Sequence, residues 1–114
     1  MPRNYVIEYV ESGSGRCRVA EFIDGLEPET QAKIDVEFDL LEEFGLEVGG
    51  PYVRKVDKKY NIWELRVIHG GRWYRFFLVT RPGRRIIVLH AYQKKGNRIP
   101  KPELDIARRI AAEV

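Results

Sequence analysis

The chain has 114 residues, of which 44% are hydrophobic and 32% charged, which suits a single domain spanning residues 1–114. Its one cysteine, Cys17, excludes an internal disulfide and a cysteine-based metal cluster. It has neither an apolar run of ~18 residues nor an apolar leader, so we expect a cytoplasmic protein that does not cross a membrane.

The net charge of +3 conceals an asymmetry between the two halves of the chain. Residues 1–50 contain 4 Lys or Arg and 12 Asp or Glu, a net charge of −8. Residues 51–114 contain 16 Lys or Arg and 5 Asp or Glu, a net charge of +11. The basic second half predicts a surface that faces a polyanion, with acidic helices elsewhere. The alternative is a solvated surface of mixed charge.

The first half of the chain predicts one strand and two helices. Residues 4–10 favour a strand, and apolar side chains at helical spacing predict a short helix over residues 16–26. Pro28 suits the first position of a second, longer helix, which Gly45 is expected to end. We expect residues 45–51 to form a loop.

The second half predicts four strands and a last helix. Pro102 opens that helix, whose acidic residues lie near its start and whose basic residues lie near its end, as the helix dipole favours. The order of elements predicts an α+β fold in which helices pack against an antiparallel sheet. The four strands are predicted at residues 52–56, 62–68, 73–80 and 85–92.

Two turns set the expected register of the sheet. The glycines at 70–71 predict a tight hairpin in which Arg66 lies opposite Arg75. The turn at 82–83 predicts a second hairpin in which His90 lies opposite Arg75, unless a bulge shifts the pairing. Like charges on facing positions are unfavourable, so this row of two arginines and a histidine indicates that an anion binds there. The alternatives are an arginine paired with Glu64 or with a helix carboxylate, and a histidine that is merely packed.

Aromatic and basic residues border the predicted row. Aromatic rings on the same face are expected to stack on unpaired bases, and the basic residues to bind the RNA backbone. The candidate RNA-binding residues are Lys55, Arg54, Trp73, Phe77, Tyr92, Arg98 and Lys101.

Other chemistries have little support in the sequence. It contains no zinc-protease, CxxC, P-loop or dinucleotide-binding motif. Most carboxylates fall in the helical half without metal-ligand spacing, and a metal-dependent nuclease needs several of them at its phosphate site. We therefore expect a reaction without metal or cofactor.

Six segments follow one another along the chain: FIDGLEPETQAKI, LLEEFG, PYVRKV, WELRV, GRWYRFFLV and VLHAYQKKGNRIPKPELDIARR. This ordered series resembles the RelE/HigB toxin superfamily, most closely its phage-derived branch. The resemblance covers about residues 18 to 110 and implies a curved antiparallel sheet with two N-terminal helices and a C-terminal helix, of the small-ribonuclease type. It also implies a type II toxin that cleaves mRNA on the ribosome without a metal and is silenced by a co-encoded antitoxin, expected to be a helix-turn-helix protein.

The resemblance carries over to individual positions. Arg66 matches the arginine of the family's "LR" motif, and Arg75 matches that of "YR". Lys94 and Lys95 match the basic pair after the last strand, and Lys55 matches a basic residue on the strand before the hairpin.

The chain departs from the family at the proton-transfer residue. Some members have a tyrosine in the C-terminal helix, but residues 101–114 contain none, which leaves His90 or a lysine as the candidate. In the expected reaction a 2′-hydroxyl attacks the adjacent phosphate, while Arg66 and Arg75 stabilise the developing charge. The candidate catalytic residues are Arg66, Arg75, His90, Lys94 and Lys95.

Two other classes of function stay open on the sequence alone. A non-catalytic nucleic-acid-binding module would use the same basic face and bind with a steep salt dependence. A protein-interaction domain would use a basic groove to dock an acidic partner segment.

Overall fold

A computed structural model describes residues 4–48 and 52–114. The predicted order of elements is confirmed. A short 3₁₀ helix, Gly45–Val48, replaces the start of the predicted loop, whose residues 49–51 lie outside the described ranges. The strands and helices are β1 (Val6–Tyr9), α1 (Arg18–Asp24), α2 (Pro28–Phe44), β2 (Val53–Asp57), β3 (Ile62–His69), β4 (Arg72–Arg81), β5 (Arg85–Gln93) and α3 (Lys101–Ala111).

The five strands form one open sheet in the order β1-β5-β4-β3-β2. Strands β2 to β5 are antiparallel neighbours, as predicted. The predicted α+β fold, with helices against this sheet, is confirmed. Strand β1 lies parallel to β5, so the complete sheet is mixed. A parallel neighbour needs a long crossover, and the intervening chain supplies both helices and three strands before it returns.

Helices cover both faces of the sheet. On one face, α1 and α2 bury the apolar side of the first hairpin, including Leu65, Phe76 and Leu78. On the other face, Phe77 and Tyr92 pack in a second apolar cluster together with residues of α3. The face predicted to be open to nucleic acid is therefore partly covered. None of the helices within the described ranges is long and apolar enough to span a bilayer.

The register of the first hairpin is confirmed, and that of the second is wrong. Arg66 pairs with Arg75 as predicted, but Arg75 pairs with Tyr92, and His90 lies opposite Phe77. The turn between β4 and β5 has three residues, and a bulge then leaves Leu89 as an extra residue on β5. The three-residue turn and the bulge each shift the pairing by one residue, and the residues of the two turns did not predict either shift.

Helix α2 begins and ends where its punctuating residues predict. Pro28 lies in its first turn, and Gly45 follows its last residue with a φ of 73°, a conformation that favours glycine. Its buried residues recur every three or four positions, which places one stripe against the sheet: Thr30, Ile34, Phe38 and Leu41.

One ion pair ties α3 to the turn between β2 and β3. The Arg108 Nε donates to Asp57 Oδ1 at 2.8 Å, and the Tyr60 backbone N–H donates to Asp57 Oδ2 at 2.8 Å. Burial opposes ionisation of Asp57, but these two hydrogen bonds outweigh it, so the pKa of Asp57 lies below its ordinary value.

We expect Asp57→Asn to lower the free energy of unfolding by about 2 kcal/mol at pH 7. Because folding lowers the pKa of Asp57, its contribution is fully present above pH 3.8, the ordinary aspartate value, and disappears as the pH falls through the lower pKa of the folded state. Urea unfolding from pH 7 to pH 2 should show the variant and the wild type converging at the acid end. A constant difference across that range would contradict the assigned role.

Candidate nucleic-acid interface

Arg75 is the buried centre of the predicted row. It lies on β4 with none of its surface exposed, and its Nε donates to Glu64 Oε2 at 2.9 Å. Glu64, on β3, is also almost completely buried. The Arg75 guanidinium lies 5.2 Å from the centre of the Tyr92 ring. A charge buried to this extent is tolerated only with a partner, and Glu64 provides it.

Arg75 also binds the backbone of the segment that follows β5. Its Nη1 donates to three carbonyl oxygens, those of Lys94 at 3.4 Å, Gly96 at 2.9 Å and Arg98 at 3.1 Å. The guanidinium therefore fixes the path of residues 94–98 across the sheet.

Two further arginines hold the same segment through Asn97. Arg54 Nη2 donates to the Asn97 carbonyl at 2.8 Å, and Arg66 Nη1 donates to Asn97 Oδ1 at 2.6 Å. Arg54 Nε also donates to Glu64 at 3.2 Å. We call Arg54, Glu64, Arg66 and Arg75 the arginine clamp, and residues 94–98 the clamped loop.

The arginine clamp explains why two arginines can face each other across a strand pair. Carboxylate and carbonyl oxygens lie between the guanidiniums and accept their hydrogen bonds, which offsets the repulsion of like charges. The arginine clamp contains three arginines and one carboxylate, Glu64, which pairs with Arg54 and Arg75, so the clamp keeps a net positive charge. The exposed basic residues on or just after the clamped loop are Lys94, Lys95, Arg98 and Lys101. Lys55 is also exposed, but it pairs with Trp63 and lies on the opposite face of β2 from Arg54.

The predicted stacking surface is largely buried. Phe77 is fully buried and Tyr92 is 8% exposed, because both pack in the cluster beneath α3, so the prediction that they stack on RNA bases is wrong. Burial raises the pKa of the Tyr92 phenol well above its ordinary range, so it stays protonated near neutral pH. Trp73 is half-buried, and the Arg66 guanidinium lies 4.8 Å from its ring centre.

His90 lies outside the row in which it was predicted. Its ring stacks on Phe77 and Tyr92, and its Nε2 lies 3.1 Å from Glu103 Oε2 on α3. It lines a cleft of about 500 Å³ between α1 and α3. The bulge at Leu89 causes this displacement, since it shifts the end of β5 relative to β4.

Three residues of the site were not predicted as functional. Glu64 appeared only as an alternative partner for an arginine, whereas Asn97 and Glu103 were not singled out. Strand alternation places Glu64 on the face of Arg66 and Arg75, and that signal was readable. The contacts of Asn97 and Glu103 depend on the path that the chain takes after β5, and no local sequence pattern predicts that path.

The described residues offer no cluster of three or more His, Cys, Asp or Glu side chains that could hold a metal ion. The chemistry of the clamped loop is that of lysine and arginine side chains. Such groups bind phosphate and stabilise negative charge.

Fold and site together define an α+β protein with an open, helix-covered sheet and a basic loop fixed by three arginines, one of them fully buried, which is compatible with a RelE-like architecture. The family profile described as "Phage derived protein Gp49-like (DUF891)" matches residues 21–112. The chain therefore belongs to this Gp49-like family, a RelE-like toxin family. A search of curated proteins gave no match. The narrower RelE/HigB assignment stays a prediction.

Proposed function

We propose that this protein is the toxin of a type II toxin–antitoxin pair and that it cleaves mRNA, with the ribosome aligning the substrate. In a chain of the Gp49-like family, the observation that carries the proposal is the arginine clamp. Three arginines direct their donors at one loop, which keeps that loop in a fixed path while its lysines face solvent. A fixed array of cations is what a developing phosphate charge requires.

The proposed reaction uses only RNA and the side chains of this protein. The ribose 2′-hydroxyl loses its proton to a base and attacks the adjacent phosphorus, and the bond from phosphorus to the 5′-oxygen breaks. The leaving 5′-oxygen takes a proton from an acid, which gives a 2′,3′-cyclic phosphate and a free 5′-hydroxyl. No metal takes part.

The structure supports different roles for the candidate residues. We assign the phosphate contact to Lys94 and Lys95, which are exposed, and to the half-buried Arg66. Arg75 has no exposed surface, so we assign it a positioning role in place of the phosphate contact expected from sequence. His90 remains the proton-transfer candidate, because Glu103 can orient its ring.

The remaining basic residues extend the proposed contact along the RNA backbone. Lys55, Arg98 and Lys101 are exposed, and Arg54 is 40% exposed. Their long side chains would hold the backbone without reading its sequence. The proposed partners are mRNA, the ribosome and a co-encoded antitoxin of the helix-turn-helix type.

The double substitution Lys94→Ala/Lys95→Ala tests the proposed site. We expect mRNA cleavage in a reconstituted translation reaction to fall at least ~100-fold, because two cations near the phosphate are lost. The melting temperature should stay unchanged, because both side chains are exposed. Cleavage is measured by primer extension, and the products by their cyclic-phosphate ends.

The matched control is Lys58→Ala/Lys59→Ala, which removes the same charge from the exposed turn between β2 and β3. Equal loss of cleavage in both variants would mean that only net charge matters. Unchanged cleavage in the Lys94/Lys95 variant would place the site elsewhere. Tight, salt-dependent RNA binding without any cleavage by the wild type would favour the non-catalytic binding module.

A further inference from the structure

The outer edge of β5 is only half covered by β1. The pairing of these two strands runs from Val6 opposite Arg85 to Tyr9 opposite Val88, and a last hydrogen bond joins the Val10 N–H to the Val88 carbonyl at 3.2 Å. Beyond Val88, within the part of the chain that the structure describes, β5 has a neighbouring strand on its β4 side only.

Backbone alternation shows which groups face this open edge. The Lys94 N–H donates to the Trp73 carbonyl, so it points toward β4. In a regular antiparallel pair, alternate residues point the same way, so Tyr92 also faces β4, whereas Ala91 and Gln93 face outward. Their N–H and C=O groups can pair with an added strand.

The open edge lies at the bottom of a groove. A cleft of about 500 Å³ lies between α1 and α3, and β5 forms part of its lining. An adjoining cleft of about 430 Å³ shares part of this lining and extends toward residues 10–13. The apolar residues lining the first cleft are Val19, Phe22, Leu89, Ala91, Ile106 and Ile110.

We propose that this groove binds an extended segment of the antitoxin, which adds a sixth strand to the sheet along residues 89–93. The inference rests on the antitoxin partner of the proposed function and names where it binds. Main-chain hydrogen bonds would supply affinity, and the apolar walls would supply specificity. A second copy of this protein is disfavoured, because its own β5 edge is equally recessed between two helices.

The residues around the groove indicate which side chains the antitoxin segment should carry. Five residues in extended form cover about 16 Å, and their side chains alternate toward α1 and α3. The α3 wall presents Ile106 and Ile110, whereas the α1 wall also carries charged residues, so the positions that face α3 should be apolar. Exposed Arg18 lies at the wall of the groove, and exposed Lys94 and Lys95 follow directly after Gln93. We therefore expect acidic residues at the end of the segment that reaches these lysines.

Binding in this groove would interfere with both parts of the proposed active site. His90 lines the groove, so an added strand would cover it. An acidic end beside Lys94 and Lys95 would neutralise the cations of the clamped loop. One linear segment could therefore silence the enzyme.

The test uses the protein encoded by the adjacent reading frame, bound to this chain, and measures amide hydrogen exchange by NMR. We expect the Ala91 and Gln93 amides to exchange at least ~10-fold more slowly in the complex. Overlapping peptides from the same protein should locate the segment, which should contain alternating apolar residues and an acidic end.

Two substitutions to aspartate sharpen the test. Ile106→Asp places a charge on the α3 wall of the groove and should weaken binding at least ~30-fold. Val36→Asp, on α2 at a position that is 53% exposed, should leave binding unchanged. Circular dichroism checks the fold, and if Ile106→Asp unfolds, the exchange rates in the wild-type complex decide alone.

The outcomes separate the groove from the proposed function. Tight binding without slower exchange of the Ala91 and Gln93 amides would overturn the groove while the antitoxin stands. Absence of binding by the adjacent protein would overturn both the groove and the partner. Neither result bears on mRNA cleavage, which is measured on the free protein.

Discussion

Arg75→Ala should lower the free energy of unfolding by about 3–5 kcal/mol, because it leaves a buried carboxylate without its partner. Glu64 would keep its ion pair with Arg54, whose side chain is 40% exposed. Three carbonyls of the clamped loop would also lose their shared donor. Urea unfolding measures the loss, and the cleavage assay should show activity falling with it.

Two companion variants separate stability from positioning. Replacing the pair together, as Glu64→Leu/Arg75→Met, should recover most of the stability, since apolar residues of similar volume often replace a buried ion pair at little cost. The double variant should still lack cleavage, because nothing then holds the clamped loop through Arg75. Arg75→Lys keeps the charge but cannot reproduce the geometry of the guanidinium.

Recovery of cleavage together with stability in the double variant would contradict the positioning role. The number of substrate molecules cut per enzyme, measured at saturating ribosome concentration, distinguishes a misplaced loop from weaker binding. If Arg75 had only a structural role, the double variant would cut as many substrate molecules per enzyme as the wild type once its fold is restored.

Gly45→Ala is expected to cost about 3 kcal/mol of unfolding free energy, although it adds a single methyl group. Gly45 has a φ of 73° and a ψ of −167°, a region of backbone conformation that is essentially restricted to glycine. A Cβ atom there would lie 2.7 Å from Cε2 of the Tyr5 ring, which is much closer than van der Waals contact. The Tyr5 ring cannot shift freely, because the Tyr5 backbone N–H donates to the Glu42 carbonyl and the ring packs against the core.

A double-mutant comparison divides that cost into its two causes. Tyr5→Leu combined with Gly45→Ala should relieve the contact but retain the backbone strain, so part of the loss should remain. Gly25→Ala is the control, because its φ is −80° and its nearest heavy atoms would lie 3.6 Å away. If Gly45→Ala and Gly25→Ala melt at the same temperature, neither strain nor contact is significant.

Local signals were enough to predict the order of elements and one hairpin. Pro28 and Gly45 mark the ends of α2, and the glycine pair at 70–71 fixed the register of β3 and β4. The second hairpin was not predictable, since Arg84 adopts a φ of 57° and lengthens the turn although it is not glycine. The bulge at Leu89 falls in a run of buried apolar residues without a glycine, so no local sequence signal marks it.

The positive charge of the site could be predicted from the sequence, whereas the burial of Arg75 beneath the clamped loop could not. The composition of residues 51–114 predicted a cationic surface, and Lys94 and Lys95 are indeed exposed. The sequence did not reveal that the chain after β5 folds back over Arg75, because that path is fixed by hydrogen bonds from Arg54, Arg66 and Arg75 on distant strands. The parallel placement of β1 likewise depends on tertiary packing and not on a local sequence pattern.

The pairing of β1 with β5 determines how late the sheet can be completed during synthesis of the chain. Its partner residues on β5 lie about eighty positions later in the sequence. At ~5–20 residues per second, the N-terminal strand must wait several seconds or longer after its synthesis before that partner exists. The clamped loop and α3 follow β5 still later, so a chain whose translation stops early has neither a complete sheet nor the cations of the proposed site. Truncated products of this gene are therefore expected to be harmless, and their unpaired β1 strands would be targets for proteolysis.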